Sequence, residues 1–233
     1  MLAFANAEDY ESADDSGGNN VYDVTITIGD GTNTGATITY AVTIDNVATA
    51  ITAGQSDSVA ENAAVDDDVM TVATTGDTPT LFAITAGNAH GNFKINSAGL
   101  IEIASTTNMD YETTTSYTLT IAASDSTTSD SATLTIAISD INDQTPTYSS
   151  SDTTPDIAEG TTAVETVAIT DTDTGDSNSC TRAGADAALF TCTVSATQYV
   201  LAFANAEDYD DADDAGGNNV YDVTVTILSL IHI

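Results

Sequence analysis

The feature that most constrains the fold is a long internal repeat. Residues 2–27 and residues 201–226 match at 22 of 26 positions, at an offset of 199 residues. A third, more divergent copy halves this period, because the triplets that begin at Asp9, Asp110 and Asp208 are spaced by 101 and then 98 residues. A unit of about 100 residues is the size of a two-sheet sandwich, and it excludes the short periods of solenoid proteins.

Alternating apolar residues inside each unit predict β-strands. The segments 22–28, 117–123 and 221–227 place an apolar residue at every second position, and Leu134, Ile136 and Ile138 continue this pattern in a further strand. One face of each strand is then buried, while the other carries Thr, Ser and Asp. Helical spacing is not evident anywhere. We therefore expect an all-β chain of tandem Ig-like β-sandwich repeats.

The repeat also predicts the division of the chain. Residues 1–48 are the C-terminal half of one repeat, 49–147 a complete repeat, and 148–227 a repeat without its last strand. Residues 228–233 depart from the earlier copy, and we interpret them as a non-native tail, with a divergent C-terminus as the alternative. Since Met1 stands where Val200 stands in the later copy, we interpret both ends as cuts, and the missing signal peptide then says little about targeting.

The net charge limits the partners of the chain. Thirty-six acidic residues face only Lys94 and Arg182, which gives a formal charge of −34 at pH 7. Nucleic acids and anionic membrane surfaces need basic residues that this chain lacks. So many carboxylates attract hard cations, chiefly calcium. The alternative is a solvated acidic surface, as in salt-adapted proteins, and the charge alone leaves both interpretations open.

The clearest local motif is Asp140-Ile141-Asn142-Asp143-Gln144-Thr145-Pro146, at the junction of two repeats. With its neighbours it makes the chain similar to cadherin repeats, specifically the cadherin-like arrays of large bacterial surface proteins. The resemblance covers essentially all of residues 1–227 and depends on several motifs in the right order. These motifs begin at Val59 (VAEN), Phe93 (FKI), Gly99 (GLI), Met109 (MDYE), Ala123 (ASD) and Asp140 (DINDQTP).

The resemblance implies calcium at the junction that follows the complete repeat, with ligands from three parts of the chain. The implied ligands are Glu61, Asp110, Glu112, Asp140, Ile141, Asn142, Asp143, Gln144, Asp171 and Asp173, with Ile141 and Gln144 acting through their carbonyls. The residue chemistry agrees independently, since calcium takes six to eight oxygen ligands and crowded carboxylates repel one another without a cation.

The earlier junction departs from the family pattern, and we expect weak calcium binding or none there. Its linker, residues 43–48, lacks the second acid and the proline, and the Asp-x-Asp pair is replaced around Ala73–Asp77. We assign Asp30 a ligand role only toward a still earlier repeat. The candidate ligands that remain at this junction are Asp9, Glu11, Asp45, Asn46 and Asp125.

Other chemistry has little support in the sequence. Cys180 and Cys192 are the only cysteines, and a disulfide and two separate buried thiols are both open interpretations. His90 is the only histidine outside the doubtful tail, so a nucleophile–His–acid set lacks its base. We therefore expect a protein that is not an enzyme.

The resemblance leads to a functional hypothesis. It implies a segment of an extracellular or cell-surface adhesin, whose parent protein is anchored in a membrane or envelope. Calcium then stiffens the junctions between repeats, and the adhesive partner is a like molecule or another cell-surface protein. Two alternatives remain: structural spacer repeats within a large secreted enzyme or toxin, and a salt-adapted sandwich that binds no specific cation.

Overall fold

A computed structural model describes residues 1–149, 152–175 and 177–230. Within these ranges the secondary structure consists of seventeen strands and two short 3₁₀ turns, at Tyr10–Ser12 and Ala187–Leu189. The predicted all-β fold is confirmed. The chain forms two compact units: the first comprises Met1–Val59, Ala63–Met109 and Ser116–Ala137, and the second comprises Ala60–Asn62, Asp110–Thr115 and the chain from Ile138 onward.

Eleven strands belong wholly or mainly to the first unit, although the last residues of β4 and β11 fall in the second. The strands are β1 (Val21–Gly29), β2 (Thr34–Thr43), β3 (Ala50–Ile51), β4 (Ser56–Ala60), β5 (Asp68–Thr71), β6 (Thr74–Thr75), β7 (Leu81–Ala86), β8 (Phe93–Ile95), β9 (Leu100–Ile103), β10 (Ser116–Ser124) and β11 (Ser129–Ser139).

Two sheets of the first unit form a sandwich. One has the strand order β4-β11-β10-β7, and the other has the order β5-β9-β8. Alternate residues of both sheets are buried, with Ile101, Leu119 and Ile136 fully enclosed, and Phe93 contacts Tyr117 edge to face. This burial matches the period-two pattern of the sequence, because successive strand residues face opposite sides of a sheet.

Strands β1 and β2 form a separate antiparallel hairpin in the first unit. Tyr22 lies opposite Val42, and Ile26 lies opposite Ile38. Asp30 closes the turn, since its Oδ1 accepts from the N–H groups of Thr32 and Asn33. These hydrogen bonds lower the pKa of Asp30 to about 2. Asp30 thus has a structural role in this turn, while its suggested role toward an earlier repeat stays a prediction.

The second unit contains six further strands. They are β12 (Thr147–Tyr148), β13 (Ala163–Thr170), β14 (Ser177–Ala183), β15 (Phe190–Val194), β16 (Gln198–Phe203) and β17 (Thr224–Leu230). One sheet has the order β12-β13-β16-β15, and β14 pairs with β17 in another. The core of this unit is centred on Val167, Phe190, Leu201 and Phe203, and Tyr221 packs against it.

A disulfide joins the two sheets of the second unit. Cys180 of β14 is bonded to Cys192 of β15, with 6.3 Å between their Cα atoms. Of the two interpretations that the sequence left open, the disulfide is therefore the one observed. A covalent link between two sheets limits the freedom of the unfolded chain and so stabilises the folded unit.

The two near-identical copies form the same loop. In the first copy the carboxylate of Asp15 accepts from the N–H groups of Asn19 and Asn20, and in the second Asp214 accepts from those of Asn218 and Asn219. Asn20 and Asn219 both adopt positive φ angles, of 59° and 58°. Side chains that bond their own backbone close such loops locally. In the second copy Asp186 Oδ1 also accepts from the N–H of Ala215 at 2.7 Å.

One predicted strand begins later than expected. The alternation from Tyr221 predicts a strand over 221–227, but β17 begins at Thr224, and it continues through residues 228–230 of the suspected tail. The equivalent residues of the first copy, 21–24, are strand because they pair with β2. Residues 220–223 have no such partner in the described chain. Within the same ranges, no helix is long and apolar enough to cross a membrane.

Candidate metal centre

Glu61 holds three segments of the second unit together. Its residue is buried, and its two carboxylate oxygens accept from the backbone N–H groups of Tyr111 and Ile141, each at 2.7 Å. The glutamate follows strand β4, Tyr111 lies in the Asp110–Thr115 segment, and Ile141 follows β11. Glu61 thus brings the carboxylates that flank these segments into one place.

The linker that follows β11 adds further acids and binds the next part of the unit. Asp140 accepts from both the N–H and the hydroxyl of Thr174. The backbone N–H of Gln144 donates to Asp173 Oδ2 at 2.9 Å, and its side-chain amide donates to Asp143 Oδ1 at 2.6 Å. These bonds bring Asp173, which lies just after β13, to the linker.

Five carboxylates then gather in two overlapping groups. Glu61, Glu112 and Asp143 each place an oxygen within 4.8 Å of the others, and Glu112, Asp140 and Asp173 do the same. Glu112 belongs to both groups. We call these five residues the Glu112 cluster. All of them are in the second unit, although they come from four separate stretches of sequence.

Several oxygens of this region are buried and lack a hydrogen-bond donor. They are both carboxylate oxygens of Glu112, Oδ1 of Asp140, Oδ2 of Asp171 and Oδ1 of Asp173. A buried carboxylate without a partner is strongly unfavourable, and most buried polar groups in folded proteins do have one. The unpartnered oxygens therefore indicate that the cluster is suited to a cation.

The electrostatics of the cluster support this conclusion. Burial raises the pKa of Glu112 to about 7, and the neighbouring carboxyls of Asp110 and Asp173 and the charge of Glu61 also raise it. Burial likewise raises the pKa of Asp173, together with the charges of Asp171 and Asp140. Like charges and desolvation both disfavour ionisation, and a bound cation reverses both effects.

The donor set decides which cation fits. The cluster offers carboxylate oxygens and contains neither sulfur nor imidazole, which are the usual ligands of zinc. Hard oxygen donors suit calcium, which accepts flexible geometry and six to eight ligands. In the cluster these carboxylates would hold the ion, and the ion would supply positive charge that offsets their repulsion.

The structure places the other predicted ligands beside the cluster with local bonds of their own. Asp110 Oδ1 accepts from the N–H of Glu112 at 3.2 Å, and Asp171 Oδ1 accepts from that of Asp173 at 3.4 Å. The side-chain amide of Asn142 donates to Ser229 Oγ at 2.8 Å. Ligand roles for these three residues, and for the carbonyls of Ile141 and Gln144, stay predictions.

The ligands predicted for the earlier junction lie in the first unit and are arranged differently. Asp125 is surrounded by donors: its oxygens lie within 2.8 Å of the hydroxyls of Thr49, Thr127 and Thr128 and within 2.6 Å of two backbone N–H groups. Hydrogen bonds from the hydroxyls of Thr128 and Thr49 lower the pKa of Asp125 strongly. Its carboxylate is thus satisfied by the protein itself.

The remaining predicted ligands of the first unit surround an acidic cleft. The cleft has a volume of about 450 Å³, and Asp9, Glu11, Asp45 and Asp125 line it. Asn46 is nearby, and its side-chain amide donates to Thr127 Oγ1 at 2.9 Å. In the described part of the chain, both clusters of three carboxylates that are close enough to hold a metal ion include Glu112.

Sequence reasoning missed two acids of this cleft. Glu8 and Asp77 also line it, and Oδ2 of Asp77 is buried without a hydrogen-bond partner. Asp77 lies in the loop where the Asp-x-Asp pair is absent, so the family pattern gave no reason to select it. Glu8 could have been selected because it precedes the predicted ligand Asp9, but adjacent acids are common on solvated surfaces.

Comparison with solved structures identifies the fold of this chain. The protocadherin Gamma B4 extracellular domain aligns with a TM-score of 0.62 and 21% identity, over 91% of this chain and 36% of that one. Protocadherin Gamma B7 extracellular cadherin domains 1-4 give 0.59 and 17%, over 91% and 57%. Mouse cadherin-23 EC22-24 gives 0.55 and 21%, over 88% and 68%. The fold is therefore that of Ig-like cadherin repeats.

The family match makes the identification more specific. Residues 55–139 match the family model described as cadherin domain, which confirms the predicted resemblance to cadherin repeats for this segment. Comparison with curated protein sequences returns no match. The chain spans about half the length of the first solved structures that it matches. Family and fold together support an adhesion-type extracellular repeat.

Proposed function

We propose that this chain is a calcium-binding segment of an extracellular, non-enzymatic adhesin. The observation that carries the proposal is the set of buried, unpartnered carboxylate oxygens in the Glu112 cluster. Glu61, Glu112, Asp140, Asp143 and Asp173 would hold the ion, with the other predicted ligands around them. The supporting context is the cadherin domain at residues 55–139 and the cadherin fold of the chain.

The structural consequence of calcium concerns the linker 140–146. Without a cation, the repulsion among the five carboxylates opposes the hydrogen bonds that hold this linker to Glu61 and Asp173. With calcium present, the carboxylates and the linker are drawn together. We propose that the linker becomes rigid in this way, as an adhesive stalk requires. Contact with like molecules or another cell-surface protein is part of the same proposal.

Calcium titration of the full chain tests this function. Extracellular modules hold calcium with dissociation constants of about 10⁻⁴–10⁻³ M. At a hundredfold excess over the dissociation constant, one site stabilises the folded unit by about 2.7 kcal/mol. We expect calorimetry to show binding in this range, and thermal melts to shift upward with calcium and not with sodium at matched ionic strength.

Two double variants separate specific binding from general screening. Asp140→Asn with Asp173→Asn removes two charges from the cluster, and Asp9→Asn with Asp45→Asn removes two from the acidic cleft. The first pair should abolish most of the calcium response, and the second should preserve it. An equal loss in both variants, or an equal response of the natural chain to sodium, would overturn the proposed site.

A further inference from the structure

The segment that carries two predicted calcium ligands leads directly into the strand that holds the disulfide. Asp171 and Asp173 follow β13, which ends at Thr170, and β14 begins at Ser177. Cys180 lies in the middle of β14. Because four residues of chain span at most about 14 Å, the position of β14 limits where Asp173 can place its carboxylate.

The same segment closes one side of the Glu112 cluster. Thr174 donates to Asp140 through both its N–H and its hydroxyl. Asp173 Oδ2 accepts from the N–H of Gln144 at 2.9 Å. Asp140 and Asp173 form a group of three carboxylates with Glu112. A shift of β14 that moves Asp173 or Thr174 would therefore open this side of the cluster.

The disulfide ties β14 to the sheet that contains β13. Strands β13, β16 and β15 are neighbours in one sheet, whereas β14 pairs with β17 in another. The bond between Cys180 and Cys192 joins β14 to β15. Two hydrogen bonds cross the same gap, from Asn178 Nδ2 to the carbonyl oxygens of Ser195 and Ala196, but at 3.5 and 3.4 Å both are long. The disulfide is therefore the firmer link between the two sheets here.

The first unit joins its sheets at the corresponding place by packing alone. Ile227 of β17, which lies opposite Cys180, corresponds to Ala123 of β10, and Ala123 lies opposite Phe82. The Phe82 side chain is buried, and a Cβ on Gly99, next to β9 of the other sheet, would come within 3.0 Å of its ring. Such a contact does not respond to a reductant, whereas the disulfide of the second unit does.

The disulfide is open to attack from solvent, since both of its cysteines are only half-buried. A small dithiol attacks one sulfur as the thiolate, which gives a mixed disulfide and releases the other cysteine. The second thiol of the reagent then displaces the remaining protein sulfur. The protein gains two electrons and two protons, and the dithiol becomes a disulfide. The step is therefore balanced and reversible.

We propose that the disulfide between Cys180 and Cys192 regulates the Glu112 cluster, so that reduction by a dithiol weakens calcium binding and reoxidation restores it. Reduction releases β14 from β15, and the ligands that precede β14 are then less well positioned in advance of binding. The coupling is reciprocal, because a form that binds calcium more tightly is stabilised by calcium to the same extent. This inference rests on the calcium site proposed above.

Calcium titrations of the full chain in its disulfide and reduced forms test the regulation. Dithiothreitol is the reductant, and amide exchange identifies a temperature at which the second unit is folded in both forms. We expect the dissociation constant to rise about tenfold on reduction, within the usual range of coupling between sites. Equal affinity in both forms would overturn this inference and leave the proposed function intact. An absence of binding in both forms would overturn the proposed function as well.

Redox titration provides a readout that does not measure calcium binding. Mixtures of reduced and oxidised dithiothreitol set the potential, and the fraction of free thiol is measured with calcium or with EDTA. For a tenfold difference in affinity, saturating calcium should lower the midpoint potential by about 30 mV, since this two-electron couple changes tenfold per 29.6 mV. An identical midpoint in calcium and EDTA would overturn the coupling.

Two variants separate the disulfide from a general loss of stability. Cys180→Ser with Cys192→Ser should bind calcium as weakly as the reduced natural chain and should not respond to dithiothreitol. Phe203→Leu weakens the buried core beside Thr162, at the start of β13 and away from Asp171 at its end. This variant should keep the natural affinity while its disulfide is intact. A dithiothreitol response in the serine variant, or an equal loss of affinity in Phe203→Leu, would overturn the proposal.

Discussion

Two acidic regions of this molecule hold their carboxylates in different ways. In the first unit, Asp125 accepts from threonine hydroxyls and backbone N–H groups, and its pKa is strongly lowered. In the second unit, both oxygens of Glu112 are buried without a donor, and its pKa is raised to about 7. Acidity alone therefore does not define a cation site, because the protein can satisfy a carboxylate with its own donors.

The largest expected change in stability comes from removing the disulfide of the second unit, which also contains the Glu112 cluster. Cys180→Ser with Cys192→Ser opens a loop of 12 residues and should lower the free energy of unfolding of the second unit by about 3 kcal/mol. Amide hydrogen exchange in EDTA measures this loss unit by unit. Calcium should then restore protection only in the second unit.

In the double serine variant, amide exchange in the first unit serves as the control. The first unit contains neither cysteine, so its exchange rates provide an internal control. An equal loss of protection in both units would show that they unfold together, and the two acidic regions could not then be compared separately.

Two single substitutions should have opposite effects in calcium-free solution. Asp125→Ala removes the acceptor of several hydrogen bonds and should lower the melting temperature by roughly 5 °C or more. Glu112→Gln removes a buried charge that has no donor and should raise it by a few degrees. Thermal melts in EDTA measure both. Melting-temperature shifts of the same sign would show that Asp125 and Glu112 do not differ in how the protein satisfies them.

The raised pKa of Glu112 and the lowered pKa of Asp125 predict that stability in EDTA changes with pH in two separate ranges. The folded pKa of Glu112, about 7, lies above its unfolded value of about 4.5, so the folded chain binds the extra proton first and stability rises as pH falls from 7 toward 4.5. Asp125 has a lowered folded pKa. Its contribution is complete above the unfolded value of about 3.9 and is lost as pH falls below it.

Denaturant titrations from pH 8 to pH 2.5 measure this profile. Glu112→Gln should reduce the rise between pH 7 and 4.5, and Asp125→Asn should reduce the fall below pH 4. Added calcium should also suppress the rise, because a bound cation keeps Glu112 ionised. A profile that both substitutions leave unchanged would show that these two groups do not govern it.

The smallest change in stability is expected from substitutions in the acidic cleft of the first unit. Asp45 is exposed, as is Asp9. Asp9→Asn with Asp45→Asn should change the free energy of unfolding by less than about 0.5 kcal/mol, with or without calcium. Chemical denaturation measures the difference. A loss of calcium-dependent stability in this variant would show that the cleft binds calcium, contrary to the weak site that the sequence predicts.

Much of the fold could be predicted from the sequence because its signals are periodic. The alternation at Leu134, Ile136 and Ile138 marks the inward face of β11, and all three residues are buried. The spacing of the repeats predicted sandwiches of about 100 residues, in agreement with the cadherin domain at residues 55–139.

The site was only partly predictable. The family resemblance selected Glu61, Glu112 and Asp173, but nothing in it shows which oxygens lack donors. The ASD motif also selected Asp125, which accepts from Thr127 and Thr128 close by in sequence and from Thr49, 76 residues away. Whether a carboxylate is satisfied depends on residues that folding brings to it, so this property cannot be read from a linear motif.

The duplicated segment separates the contribution of sequence from that of tertiary structure. Both copies close the same loop, since Asp15 and Asp214 bond backbone N–H groups only a few residues away. The sequence by itself determined that conformation. The residues that follow are nearly identical, yet 21–24 are strand and the equivalent residues 220–223 are not. A strand needs a neighbour for its backbone bonds, and only the tertiary structure decides that β2 pairs with one copy while no described strand pairs with the same edge of the other.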